Sequence, residues 1–239
     1  MQNEIEKIEA EIQNQSAVEA LLRIAQLFPG KVTFSTSLGL EDQVITQMIL
    51  SNNLPIDVFT IDTWRLFDET EKTLERTIAR YKKPIKIYYP DKNAVEELVT
   101  KKGNFSFFAS IANRQECCFI RKVEPLKRAL AGYKIWITGI RAEQSSSRTK
   151  MDAVEWDENN QIIKFHPLLN WNLDETTAFI RQHNIPYNTL HNQGYVSIGC
   201  RPCTRAIKLG EDFRAGRWWW ENEDKKECGL HNIKNENKK

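Results

Sequence analysis

The sequence lacks any apolar run long enough to span a bilayer, and residues 1–15, acidic and amphipathic, lack the basic-then-apolar pattern of a secretory signal. It also lacks a charge excess. With 34 basic and 32 acidic residues the net charge is +2, so no overall field draws the chain to nucleic acid or to a membrane surface, and any anion site has to be local. No internal repeat and no low-complexity linker interrupts the interior. Together these absences predict a cytoplasmic globular protein. A chain of 239 residues, 41% hydrophobic and 28% charged, buries one substantial core. The expected organisation is one domain over residues 1–220 and a flexible C-terminal segment over 221–239, almost wholly polar from residue 232 onward.

Cysteine is scarce as well, and its placement says more than its number. Cys117 and Cys118 are adjacent, Cys200 and Cys203 stand in the stretch GCRPCT, and Cys228 is alone in KKECGLH. In a reducing compartment paired cysteines act as metal ligands or catalytic groups rather than structural disulfides, and an odd count of five points the same way.

Apolar residues at helical spacing (Ile5, Ile8, Ile12, then Val18, Leu21, Leu22, Ala25) predict one or two N-terminal helices that end at Pro29-Gly30. Strands are then expected over 31–35, 56–61, 85–89 and 134–140. Helices are expected over 41–50, 69–81, 93–101 and 119–131. Such alternation implies right-handed crossovers and a mostly parallel, twisted sheet with helices on both faces, an α/β fold. Beyond residue 140 a short hairpin (154–156 with 162–165) and a helix (174–183) are expected.

Ligands of open parallel sheets sit at the carboxyl ends of the strands. The first strand runs into Ser35-Thr36-Ser37-Leu38-Gly39 and a helix opening with Glu41-Asp42. This loop is either an anion cradle of backbone N–H groups or an ordinary capped turn. The second strand ends in Asp62-Thr63, and the fourth in Thr138-Gly139-Ile140-Arg141, followed by Gln144, Ser145 and Arg148. Three strand ends therefore carry polar loops, a run that chance capped turns explain less well, although each Arg or Ser singly is more often a solvated surface residue.

Cys-x-x-Cys suits zinc, redox and iron-sulfur sites alike. The contiguous pair Cys117-Cys118 discriminates better. Neighbours on a helix point about 100° apart, which is awkward for one zinc ion and easier for a wider cluster. Sulfur count and spacing favour a four-thiolate iron-sulfur cube over zinc, with two buried thiol pairs as the plain alternative. An anionic cube wants cations nearby, and Arg121-Lys122 follow Cys118 by about one turn. Around Cys228, Lys225, Lys226 and His231 raise the thiolate fraction and Gly229 lets the backbone bend, as suits a nucleophile that meets first a small substrate and then a protein reductant. Arg205, Arg214 and Arg217 flank the tryptophan run 218–220; the arginines are candidate clamps for phosphate or sulfate, the tryptophans candidate core.

The stretches STSLGLEDQV, IDTWRLFDET, CCFIRKVEPLKRAL, WITGIRAEQSSSR, IPYNTLHNQGYVSIGCRPCT, DFRAGRWWWE and KKECGLH occur in order over most of the chain. Together they closely resemble the assimilatory sulfonucleotide reductases, specifically the bacterial adenylyl-sulfate (APS) reductases of iron-sulfur type. The resemblance implies an adenine nucleotide α-hydrolase-like fold with a modified pyrophosphatase-type loop after the first strand. It assigns a [4Fe-4S] cluster to Cys117, Cys118, Cys200 and Cys203, makes Cys228 the nucleophile, and has Lys122 link cluster and substrate. It also places Arg141, Arg214, Arg217 and His231 on the phosphosulfate, Ser35, Ser37 and Gly139 on the nucleotide, and Arg148 among the substrate contacts.

The reaction so implied is thioredoxin-dependent reduction of APS to sulfite and AMP in sulfate assimilation and cysteine biosynthesis, through an S-sulfonated Cys228. The partners are APS and thioredoxin or a glutaredoxin-like reductant, with no nucleic acid and no membrane, and a homo-oligomer is left open. The 3′-phosphorylated substrate PAPS is the nearest alternative; an ATP pyrophosphatase or tRNA-thiolating enzyme is more distant, because STSLGLED departs from their SGGxDS-like loop. One position departs from the family pattern. Trp64 stands where a glycine is expected after Asp62-Thr63, and its ring would narrow or reshape the adenine site.

Overall fold

The computed structural model describes residues 2–144, 148 and 151–221. Its sheet contains β1 (Val32–Ser35), β2 (Asp57–Ile61), β3 (Lys86–Tyr88), β4 (Ile135–Ile137), β5 (Val154–Asp157) and β6 (Ile162–Phe165), in the order β3-β2-β1-β4-β6-β5. All neighbours are parallel except β5, which runs antiparallel to β6 at one edge. The helices are α1 (Gln2–Ile12), α2 (Ala17–Leu27), α3 (Leu40–Ser51), α4 (Asp68–Tyr81), α5 (Lys92–Lys102), α6 (Ile111–Cys118), α7 (Glu124–Leu130) and α8 (Leu173–Gln182). The expected α/β fold is thus observed, and the hairpin of β5 and β6 extends the same sheet through parallel pairing of β6 with β4. No helix among the described residues is long and apolar enough to cross a membrane.

Alternation along the strands divides the core. Val58, Ile135, Ile137, Ile163 and Phe165 face one side, where Leu21, Ile24, Ile45, Ile49 and Ile180 of α2, α3 and α8 cover them. Phe59, Trp136 and Ile162 face the other, against Leu126, Ala129 and Leu130 of α7. Period-two side chains buried on both faces are what a central parallel sheet requires. Chain order places β2 on one side of β1 and β4 on the other, so the crossovers diverge between β1 and β4 and leave a crevice at their carboxyl ends.

The segment expected as a single helix over 119–131 starts earlier. Ser110 caps α6 by accepting from the amide of Asn113 at 3.1 Å, and the helix carries both adjacent cysteines before widening into a π turn over Phe119–Val123. The amide of Glu124 then reaches back to the Phe119 carbonyl, and Pro125, which has no N–H to give an α-helical bond, follows directly. Only one large aliphatic residue, Ile111, lies in the first turns of α6, so hydrophobic spacing does not signal it.

Candidate active site

A cavity of about 250 Å³ opens at the divergence of β1 and β4. Of the residues singled out from the sequence, Ser35, Ser37, Lys122, Gly139, Arg148, Arg214 and Arg217 line it, with Cys200 in its wall. Arg141 does not. Its guanidinium is buried behind Glu41, donating from Nε to Glu41 at 2.8 Å and from Nη1 to Glu143 at 2.7 Å. Cys228 and His231 lie outside the described residues.

The loop after β1 spends its amides internally. The Thr36 N–H donates to the Phe59 carbonyl, the Leu38 N–H to the Thr36 hydroxyl, and both the N–H and the hydroxyl of Ser37 to Asp42 Oδ2 at 2.6 Å. All three amides are thus satisfied within the protein, that of Ser37 by the Asp42 carboxylate, while α3 itself opens at Gly39 with no side-chain cap. Leu38 takes a left-handed backbone (φ +62°), a strained geometry for a branched side chain and one that clusters at functional sites. Gly139 is required on the facing strand end, since a Cβ there would overlap the Asp42 carboxylate. Burial pushes the Asp42 pKa up to about 6, against the lowering effect of Ser37.

Below the loop, Trp136 Nε1 donates to Ser35 Oγ at 2.8 Å, and Thr138 Oγ1 lies 2.7 Å from Nδ1 of the buried His166. Burial lowers the pKa of His166, and likewise that of His191 in the cavity wall, so both are held neutral.

At the opposite end the two cysteine pairs converge. Cys117, Cys200 and Cys203 share one buried cluster with Leu98, Phe107 and Trp218, Cys118 packs against it, and all four are free thiols. Burial pushes Cys117 up, and pushes Cys203 up to about 12 with the help of the neighbouring Cys200 charge. Burial would also raise Cys200, but Lys122, the Thr63 hydroxyl at 3.2 Å, Arg217 and Arg65 outweigh it and leave its pKa below the usual thiol range. Arg121 hydrogen-bonds Cys117 and donates to the Thr63 carbonyl at 2.7 Å. Arg114, one turn before Cys118, hydrogen-bonds that sulfur and forms a two-pronged ion pair with Glu221. Arg217 reaches the site because Gly199 has no Cβ; a methyl there would overlap its guanidinium.

Whether four sulfurs here fit a metal cluster can be judged from the groups around them. Nε1 of Trp218 and Nε of Arg121 and Arg217 are buried donors without an acceptor among the described residues. Buried donors are ordinarily satisfied. Three of them beside the four thiols leave room for an anionic acceptor, such as an iron-sulfur core, although no three side chains among the described residues are placed to hold a metal ion as they stand.

Sequence reasoning missed Asp42, His166, Arg65 and Arg114. Asp42 had a signal, a carboxylate in the first turn of the helix that follows a polar strand-end loop, whereas Arg114 had none. The tryptophan run divides: Trp218 is buried, with the guanidinium carbons of Arg114 and Arg217 4.7 and 4.8 Å from its ring, while Trp219 is exposed. Trp64 does not narrow the cavity. Its side chain is 46% exposed and stacks on Tyr89 outside, and its φ of +58° accounts for the glycine expected there.

Known proteins share this arrangement. Residues 31–206 match the family model of the phosphoadenosine phosphosulfate reductase domain. An adenosine 5′-phosphosulfate reductase of Allochromatium vinosum is 51% identical over 216 residues, covering 90% of this chain and 84% of the relative. One of Sinorhizobium fredii is 50% identical over 202 residues, covering 84% and 80%. Among solved structures, the phosphoadenylyl-sulfate (PAPS) reductase of Candida auris in its phosphate complex superposes with a TM-score of 0.73 at 30% identity, covering 87% of this chain and 98% of that one. An FMN adenylyltransferase of Candida glabrata, at 20% identity and a TM-score of 0.54 over 92% and 78% of the two chains, shares the fold alone. The matched span runs through every strand of the sheet and well over half of the chain: this chain belongs to the phosphoadenosine phosphosulfate reductase domain family.

Proposed function

We propose that the protein reduces adenosine 5′-phosphosulfate to sulfite and AMP, with thioredoxin or a similar dithiol protein as reductant, in sulfate assimilation. The observation that carries this reading is the cavity itself. It joins a nucleoside-sized crevice at the β1 and β4 ends to a cationic end, Lys122, Arg214 and Arg217, beside the gathered cysteines. The names of the relatives support the substrate.

Cys117, Cys118, Cys200 and Cys203 would hold a [4Fe-4S] cluster. When bound, it would supply a compact charged body that fixes the four thiolates, two on α6 and two on the turn over residues 200–203, and shapes the field at the cavity end. The chain's own residues do the rest. Lys122, Arg214 and Arg217 bind the crowded phosphosulfate and offset its charge as the sulfur-oxygen bond lengthens.

Cys228 is the nucleophile. Its thiolate attacks the sulfate sulfur, a Cys228 S–SO₃⁻ bond forms, and AMP departs with the electron pair of the broken bond. A thiolate of the reductant then attacks Cys228 Sγ and sulfite leaves with the pair of the broken sulfur-sulfur bond. The second reductant thiol resolves the mixed disulfide, so the two electrons come from the dithiol. Glu221 is fastened to Arg114 beside the cysteines, and Cys228 follows it by seven residues, a span of at most about 25 Å.

The test is to incubate the anaerobically purified protein with the sulfonucleotide alone and measure its mass. A single added sulfonate, absent from Cys228→Ser, is expected; a gain of that mass by the variant would refute the assignment. Iron and inorganic sulfide content, about four each per chain, tests the cluster, and a colourless zinc protein would exclude it. PAPS is the second reading, favoured by the likeness to the Candida auris enzyme.

A further inference from the structure

A row of polar side chains crosses the face of the sheet on which the cavity opens, and the reaction proposed above makes no use of it. β4 and β6 pair in parallel with Ile137 opposite Phe165, so the next position sets Thr138 beside His166; β5 sets Glu155 opposite Lys164. Side chains two apart along a strand share a side. Thr138 therefore lies on the side of Trp136, and Lys164 and His166 on that of Ile162, the face covered by α7. Thr138 lines the cavity, His166 is buried behind it, and Glu155 stands behind His166.

The contact between Thr138 Oγ1 and His166 Nδ1, 2.7 Å long, can carry its proton in either direction, and Glu155 decides which. A carboxylate oxygen of Glu155 lies 3.4 Å from Nε2, too poorly aligned for a full hydrogen bond, and Nε2 has no other partner among the described residues. Burial would raise the Glu155 carboxyl, but His166 and Lys164 outweigh it and keep it ionised at neutral pH. A bare ring nitrogen is repelled by an anion at that distance, whereas an N–H is attracted.

Burial, with Lys164 and Arg148 nearby, keeps the imidazole neutral, so it carries a single proton, and that proton belongs on Nε2. Nδ1 is then an acceptor. Thr138 has to donate to it, and its oxygen keeps only lone pairs for the cavity, to which no described residue donates. A buried acceptor of fixed direction takes a ligand N–H or O–H and rejects an analogue that lacks one.

We propose that the Thr138 hydroxyl is a binding group of fixed polarity that accepts a hydrogen bond from an N–H or O–H of the nucleoside, with His166 and Glu155 as the positioning residues that turn its proton away from the cavity. This rests on a nucleoside occupying the crevice, as proposed above. Its donors are the base amine and the ribose hydroxyls, and three analogues of AMP tell them apart: IMP, in which a carbonyl replaces the amine, and the 2′-deoxy and 3′-deoxy forms.

Calorimetric binding of all four nucleotides to the full-length protein at pH 8 tests this without turnover. One analogue should bind wild type about tenfold more weakly than AMP, and Thr138→Val should shrink that deficit to about twofold or less. His166→Phe, which frees the hydroxyl to turn, should relax the same discrimination although the hydroxyl remains. Long-range nitrogen-proton NMR spectra, in which His166→Phe identifies one signal among the four histidines, should show the Nε2–H tautomer. Glu155→Gln, whose amide can donate to Nε2, should move His166 toward the Nδ1–H form. A wild type in the Nδ1–H tautomer, or deficits equal in wild type and Thr138→Val for all three analogues, overturns the proposal. Failure of AMP itself to bind would overturn the nucleoside reading of the crevice and this inference with it, whereas tight AMP binding without that coupling overturns this inference alone.

Discussion

Replacing Glu221 with glutamine removes one charge from a pair almost wholly shielded from water. The Arg114 and Glu221 side chains are 2% and 4% exposed, and the two hydrogen bonds between them are 2.9 and 2.8 Å long. Taking away the carboxylate charge leaves a guanidinium buried without its counter-ion, a loss of about 3–5 kcal/mol for such pairs. Contacts with the Trp218 ring and the Cys118 sulfur retain part of the stabilisation, which sets the expectation at the lower end, about 3 kcal/mol. For a chain of this length each kcal/mol moves the midpoint by about 2–4 °C, so Glu221→Gln should melt about 6–12 °C below wild type.

Removing both charges behaves differently. Arg114→Met with Glu221→Leu abolishes the desolvation cost together with the attraction, and the double variant should recover most of the loss. Circular-dichroism melts of wild type, Glu221→Gln, Arg114→Met, Glu221→Leu and the double variant, at matched iron content, supply the comparison and the cycle. A Glu221→Gln midpoint within about 1 °C of wild type, or a double variant that loses the sum of the singles, would refute the reasoning.

Asp42→Asn should stabilise the protein at neutral pH. A carboxyl raised from 3.8 to about 6 contributes its stability fully below pH 3.8 and loses it as pH rises through about 6. Removing the charge therefore recovers about 3 kcal/mol at pH 8 and nothing at pH 4, as paired urea titrations will reveal. Arg217→Lys should lower kcat/KM for adenosine 5′-phosphosulfate about 100-fold with little change in melting, since a point charge replaces a planar fork stacked on Trp218. Gly199→Ala should reproduce much of that loss by displacing the same guanidinium, read in the same steady-state assay. Cys200→Ser should reduce iron content per chain by more than half in anaerobic metal analysis, because a buried hydroxyl replaces one ligand sulfur.

Much of this was legible in residue order. Helical spacing in α1 and α2, the alternation of short apolar strands with helices, and loops of small polar residues at strand ends identified the sheet and the crevice. Where local pattern was weak, structure had to supply the answer. Helix α6 carries too few apolar residues to announce itself, so the adjacent cysteines appeared to precede a helix rather than to close one. Arg141, in a loop rich in ligand-ready residues, turned out to be occupied by Glu41 and Glu143. Trp64, read as an obstruction, points away because its backbone is left-handed.

By itself the sequence determined which chemistry the chain carries, because thiol spacing, strand-end polarity and arginine placement are properties of residue type and order. Tertiary structure alone decided where the charges fall. Burial, and pairings between residues a hundred positions apart such as Arg141 with Glu41, choose which carboxylate is neutralised and which is left facing the cavity. The interaction of a charge depends on distance and on shielding from water, and neither is written in a linear order of residues.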